Sequence, residues 1–189
     1  MAVVLALLAY GIHLMLTAPS FTSISPATPG AVQLAAARGV EAALANQQPV
    51  ALVELTDAEA TALLQESLPG YVGLSNLEVH SVNGQIVVSG QTSILGHPLT
   101  ISGPVTLRSG GGALVDMSFQ GLWIGQLGLP KVVPELLTRG LSPQFDMGLV
   151  AAGRAISFAC AAATPGFVTI GVYYTAAHPP AASACRGGG

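Results

Sequence analysis

The side chains able to do chemistry are few, and their spacing assembles no recognisable catalytic motif. Four histidines, His13, His80, His97 and His178, are scattered along 189 residues. His13 lies in an apolar leading segment and His178 in an Ala/Pro-rich tail. His80 falls on the polar side of an expected strand, and His97 precedes Pro98 in a turn. Each reads as a solvated imidazole rather than a base or a ligand. There is no Gly-x-Ser-x-Gly nucleophile elbow. Ser109-Gly110-Gly111-Gly112 has the composition of a phosphate loop, but it stands between two strands, so a hairpin turn is expected. Asp57, Glu59 and Glu66 share one helix in positions that suit capping and solvation. Asp116 and Asp146 have no evident partner. These residues predict no enzyme, no cofactor and no metal site.

Cys160 and Cys185 are the only cysteines. In an exported domain they would form a disulfide that pins the tail to the last strands. The alternative is one buried thiol and one thiol in a disordered tail. Neither has metal-ligand spacing around it.

Composition narrows the class. Charged residues make up 8% of the chain, against the usual quarter or so. Hydrophobic residues make up 51%, too many for a disordered body. The net charge is −3 and the six Lys and Arg residues stand singly, so no basic patch offers itself to nucleic acid. The length left after the termini suits one domain with a real core.

Several elements must position these residues. Residues 1–18 carry no charge, and only Tyr10, His13 and Thr17 interrupt their apolar run. This segment predicts a membrane helix at the short end of about 17–25 residues. Pro19 spoils a cleavage site after Ala18, which favours a retained anchor over a cleaved signal. Residues 19–30 form a Pro/Ser/Thr linker. Residues 31–176 form a single domain expected outside the cytoplasm, and residues 177–189 a disordered tail.

Within the domain, Thr28 and Pro29 open a helix whose stripe is Val32, Ala36, Val40 and Leu44. Thr56-Asp57-Ala58-Glu59 is a capping box for a second helix, with Leu55 and Ala60 as its staple and Leu63 and Leu64 facing inward. From Leu74 to Ile124 the period becomes two. Asn83-Gly84 predicts a two-residue hairpin that pairs Val82 with Gln85, Ser81 with Ile86 and Val79 with Val88. That register puts Leu77, Val79, Ile86 and Val88 on an apolar face, and Glu78, His80, Gln85 and Ser89 on a wet one. Leu99, Ile101, Val105 and Leu107, then Val115, Met117 and Phe119, continue the apolar face. Residues 125–130 break the sheet. Residues 131–141 predict a short helix that turns Val133, Leu136, Leu137 and Leu141 inward. Strands are expected at 145–149, 156–160 and 167–174. The fold class is α+β: an N-terminal membrane helix, then helices packed on a curved antiparallel meander.

The run from Leu52 to Leu64 with its capping box resembles the YpmS-like and LmeA-like bacterial envelope proteins. The hairpin from Leu77 to Val88, Leu127-Gly128-Leu129-Pro130 before a helix, and Pro165-Gly166-Phe167-Val168-Thr169-Ile170 carry the same likeness. The resemblance covers about residues 50–174. It implies a fold similar to tubular lipid-binding domains, in which a curved sheet wraps a long helix around a lipid channel. It brings no catalytic residues.

The expected function is a membrane-anchored domain that binds lipid or another apolar ligand in a groove between sheet and helices. The groove would be lined by Leu77, Val79, Ile86, Val88, Leu99, Ile101, Met117, Phe119, Leu136 and Leu137. The alternative is a structural or interaction domain of the cell envelope with a closed core. Its partners are the membrane and, in the first case, lipid; no protein partner is indicated. Trp123, the single tryptophan, stands at the end of the sheet, either as an interfacial anchor or as ordinary rim packing.

Overall fold

The computed structural model describes residues 2–17, 19, 21–68, 74–94, 96–112, 114–130, 144–146, 150–151, 154–174 and 185. Among these are three helices: α1 (Ala2–Leu16), α2 (Pro29–Ala45) and α3 (Asp57–Ser67). Two antiparallel sheets pack with α2 and α3 around one core. The smaller sheet has the order β1-β12-β11, from β1 (Val50–Thr56), β11 (Ser157–Thr164) and β12 (Phe167–Tyr173). The larger runs β2-β3-β4-β5-β8: β2 (Ser75–Val82), β3 (Gln85–Ile94), β4 (His97–Gly111), β5 (Leu114–Phe119) and β8 (Gln144–Asp146). A tiny hairpin of β6 (Trp123–Ile124) and β7 (Leu127–Gly128) attaches to β4, and β9 (Val150–Ala151) pairs with β10 (Arg154–Ala155).

The β2–β3 register is the one the turn dictates: Val82 opposite Gln85, Ser81 opposite Ile86, Val79 opposite Val88. Asn83 and Gly84 both take positive φ, as a two-residue hairpin of this hand requires. Leu77, Val79, Ile86 and Val88 are buried on the core side.

The strand β1 is absent from the sequence-based expectation. Its Ala51, Val53 and Leu55 are buried while Leu52, Glu54 and Thr56 face out. They pair with Val172, Ile170 and Val168 of β12, more than a hundred positions away. The helix α2 lies directly on this strand. A Cβ at Gly39 would sit 2.6 Å from the Leu52 carbonyl oxygen, so glycine here permits the close approach. The stripe of α2 also differs by one position: Ala43 is buried and Leu44 is exposed, beside Val32, Ala36 and Val40.

The N-terminus of α3 is closed by its capping box. Glu59 N–H donates to Thr56 Oγ1 at 3.3 Å, and Thr56 N–H donates to Glu59 Oε2 at 2.8 Å. Three side chains spaced by four residues then hold the otherwise open edge of β2. Asp57 accepts from Ser81 N–H at 3.1 Å, Thr61 Oγ1 accepts from Val79 N–H at 2.9 Å, and Gln65 Nε2 donates to the Leu77 carbonyl at 2.7 Å. A sheet edge is a template for foreign strands; here a helix occupies it. Thr61 is fully buried. Thr61→Val, which keeps the shape and removes the acceptor, should cost about 1–3 kcal/mol in urea unfolding, because it strands a buried amide. Thr61→Ser should recover most of that loss. Equal losses for both variants would refute the role of the oxygen.

The expected membrane segment forms α1, with 15 residues. At 1.5 Å per residue it is about 22 Å long, short of a hydrocarbon core of about 30 Å. No helix among the described residues is long and apolar enough to cross a membrane. The expected helix at 131–141 lies outside the described residues, as do His178 and most of the tail. Cys185 is described, and it forms a disulfide with Cys160 in β11.

Candidate functional site

Four of the ten expected groove residues meet around one apolar cavity. Val79, Ile86, Val88 and Met117 line it with Leu63 and Leu64 of α3 and Val168 and Ile170 of β12. Its volume is about 40 Å³, against about 300–1,000 Å³ for a typical ligand pocket. Leu77 is buried in the same core but does not line the cavity, and Phe119 is half-buried against that core. Leu99 is buried and Ile101 half-buried, both apart from the core cluster. Leu136 and Leu137 lie outside the described residues.

The wet face expected for β2 and β3 is covered in part. Residues 21–28, in neither helix nor strand, cross it as a strap. Phe21 stacks on His80 with ring centroids 4.6 Å apart, and Ser23 Oγ donates to Glu78 Oε1 at 2.9 Å. The Ala27 amide donates to the Ala58 carbonyl at 3.0 Å. His80 is thus 4% exposed and Ser89 5%, so both depart from the solvated positions the alternation predicts. The cause is tertiary: one phenyl ring returns from fifty-nine positions upstream.

Serine, histidine and glutamate adjoin here, which invites a catalytic reading. Yet Ser89 Oγ lies 3.2 Å and Glu78 Oε2 3.3 Å from the same atom, His80 Nε2. A relay needs the hydroxyl on one ring nitrogen and the carboxylate on the other. This geometry anchors a strap instead of activating a nucleophile.

The third feature is the junction of α1 with the domain. Among the described residues, the last turns of α1 meet the body: Gly11, Leu14 and Met15 are half-buried, whereas residues 3–10 are exposed. The Gln126 amide donates to the Leu14 carbonyl at 2.8 Å. Gly125, buried at φ 58°, fits under the end of the helix; a Cβ there would lie 2.3 Å from Met15 O, 2.5 Å from Leu14 O and 2.6 Å from Thr17 O. A residue with a side chain would be strained by φ and blocked by three carbonyls. Trp123 stands two residues away.

No family model, curated protein or solved structure matches the chain. Its own geometry is what any function must rest on.

Sequence reasoning missed the strap and the docked end of α1. Phe21 was a signal in plain sight, since a lone aromatic in a Pro/Ser/Thr segment has little reason to stay in water.

The outer face of the small sheet carries the disulfide and Tyr173, which is buried. Burial raises the Tyr173 phenol above its usual range. The unfolded chain then ionises first, near pH 10. The stabilisation from the neutral phenol is complete below that pH and is lost as pH rises through the folded value. Urea midpoints measured across this alkaline range should fall less steeply for Tyr173→Phe; an unchanged slope would contradict the assignment.

Proposed function

We propose that this protein is a non-enzymatic domain held at a membrane by α1 and exposed to an oxidising compartment, where it acts as an interaction or structural module of the cell envelope. The observation that carries this reading is the bare apolar surface of α1. Val3, Leu5, Leu7 and Leu8 are 72, 60, 65 and 59% exposed on one uncharged helix. Each such side chain gains about 1.5–3 kcal/mol on leaving water, so the helix requires a cover, and lipid is the cover its composition suits. The part of α1 not docked on the body, residues 3–10, is about 12 Å long and enters one leaflet. The Cys160–Cys185 bridge supports an oxidising location.

The test is flotation of the full chain with lipid vesicles, beside Leu5→Asp. An aspartate mid-helix costs about 3 kcal/mol in a bilayer, so partitioning should fall about a hundredfold. The exposed position leaves the fold intact, and circular dichroism checks that. A native chain that stays in the aqueous fraction refutes the proposal.

A second reading, binding of an acyl chain or other apolar ligand, draws support from the wholly apolar lining of the cavity between α3 and the sheets. Its walls would have to part to admit such a chain. Mass spectrometry of lipid extracted from the purified full chain tests it: stoichiometric lipid supports it, and a lipid-free, stable protein rejects it.

A further inference from the structure

The single tryptophan stands where a membrane-inserted α1 would leave the bilayer. The docked turn of α1 is locked to the β6–β7 turn by the Gln126–Leu14 hydrogen bond and by the fit of Gly125 beneath three helix carbonyls. The domain therefore cannot swing freely about α1, and one end of the body must face the lipid surface. That end carries Trp123, 39% exposed. Its indole lies across two glycines: a Cβ at Gly121 would be 3.1 Å from Cη2, and one at Gly128 would be 3.3 Å from Nε1. These bare positions make room for the ring, which stays partly exposed.

Two further observations fit a lipid surface. From Met117 to Pro130 the chain carries no charged residue, so this stretch brings no ion to dehydrate at the interface. Tyr10 is exposed one turn before Leu14, about 6 Å along the axis. Tyrosine and tryptophan thus flank the same docked turn, and both types favour the headgroup level, with the ring in apolar surroundings and the polar atom wet.

We infer that Trp123 is a second membrane contact, seated in the headgroup layer by the docking of α1. This rests on the reading of α1 as membrane-inserted. It assigns the β6–β7 end of the body, and not the strap or the outer face of the small sheet, as the side that meets lipid.

Because Trp123 is the only tryptophan, fluorescence of the full chain reports one site. The chain is reconstituted in phosphatidylcholine vesicles brominated either near the top or near the bottom of the acyl chains, and flotation is measured on the same samples. The expected result is flotation, a blue shift on binding, and loss of emission with the shallow bromines but not with the deep ones. Flotation with emission unaffected by either set overturns the inference and leaves α1 as an anchor. Flotation with stronger quenching by the deep bromines overturns the headgroup placement. Failure to float overturns the anchor reading and this inference with it.

Discussion

Leu55→Ala should lower the unfolding free energy by about 2–5 kcal/mol. Leu55 is fully buried at the end of β1, opposite Val168 of β12 and just before the Thr56 cap of α3. Its loss acts at three places. The methyl groups no longer gain by leaving water. The vacated space joins a core that already holds an apolar cavity of about 40 Å³ bounded by Ala60 and Val168. The apolar residue before the Thr56 cap, which the sequence pairs with Ala60 as a staple, is truncated. Cavity terms grow by about 24 cal/mol per Å³ left unfilled, and a site beside an existing void has little left to collapse inward. Urea unfolding gives the number, provided the slope is unchanged. A loss below about 1 kcal/mol would show that β1 is not packed as described.

Opening the Cys160–Cys185 bridge should cost about 3.5 kcal/mol, by Cys160→Ala, Cys185→Ala or reduction. The cysteines are 25 residues apart, and closing a loop of that size removes about this much from the unfolded chain's entropy in the chain-entropy model. A second effect identifies where the bridge sits. Gly171 of β12 lies beneath it; a Cβ there would be 2.7 Å from Cys160 Sγ and 2.9 Å from Cys185 Sγ. While the bridge is closed neither sulfur can move aside. Gly171→Ala should therefore be more damaging in the oxidised protein than in the reduced one, where the side chains can turn away. The unfolding midpoints of wild type and Gly171→Ala, each with and without reductant, measure this coupling. Equal penalties in both states would place the bridge elsewhere.

The local parts of this fold were legible in the sequence. Asn83-Gly84 and the alternation around it determine the β2–β3 register, because a two-residue turn leaves one pairing that keeps Val79, Ile86 and Val88 together. Thr56 and Glu59 mark the start of α3 through bonds made within one turn. The turn at Pro165-Gly166 and the inward set Val168, Ile170, Val172 and Tyr174 are equally local. What escaped depends on distant partners. Residues 50–56 alternate well enough for a strand, but half of its case is β12, and the capping box beside it draws attention to the helix. His80 was placed on the correct side of β2; only the returning Phe21 makes that side a buried one. Gly39 reads as a weakness in an isolated helix, and it becomes a requirement once β1 lies beneath it. Of the candidate site, the apolar face was visible, whereas the small size of the space behind it is a property of how α3 and β12 fill it.

The ladder from α3 to β2 works like a vernier. Four helical residues advance about 6.0 Å, whereas two residues of an antiparallel strand advance about 6.8 Å. Pairs 57–81, 61–79 and 65–77 can all be made because the accumulated offset by the third rung is only about 1.6 Å. A fourth rung would fall at positions 69 and 75, but position 69 is a proline and the register of β2 shifts between Ser75 and Glu78. The ladder ends where the strand loses its regular rise, and α3 stops at 11 residues. Lengthening this helix would add turns without guarding any more of the strand.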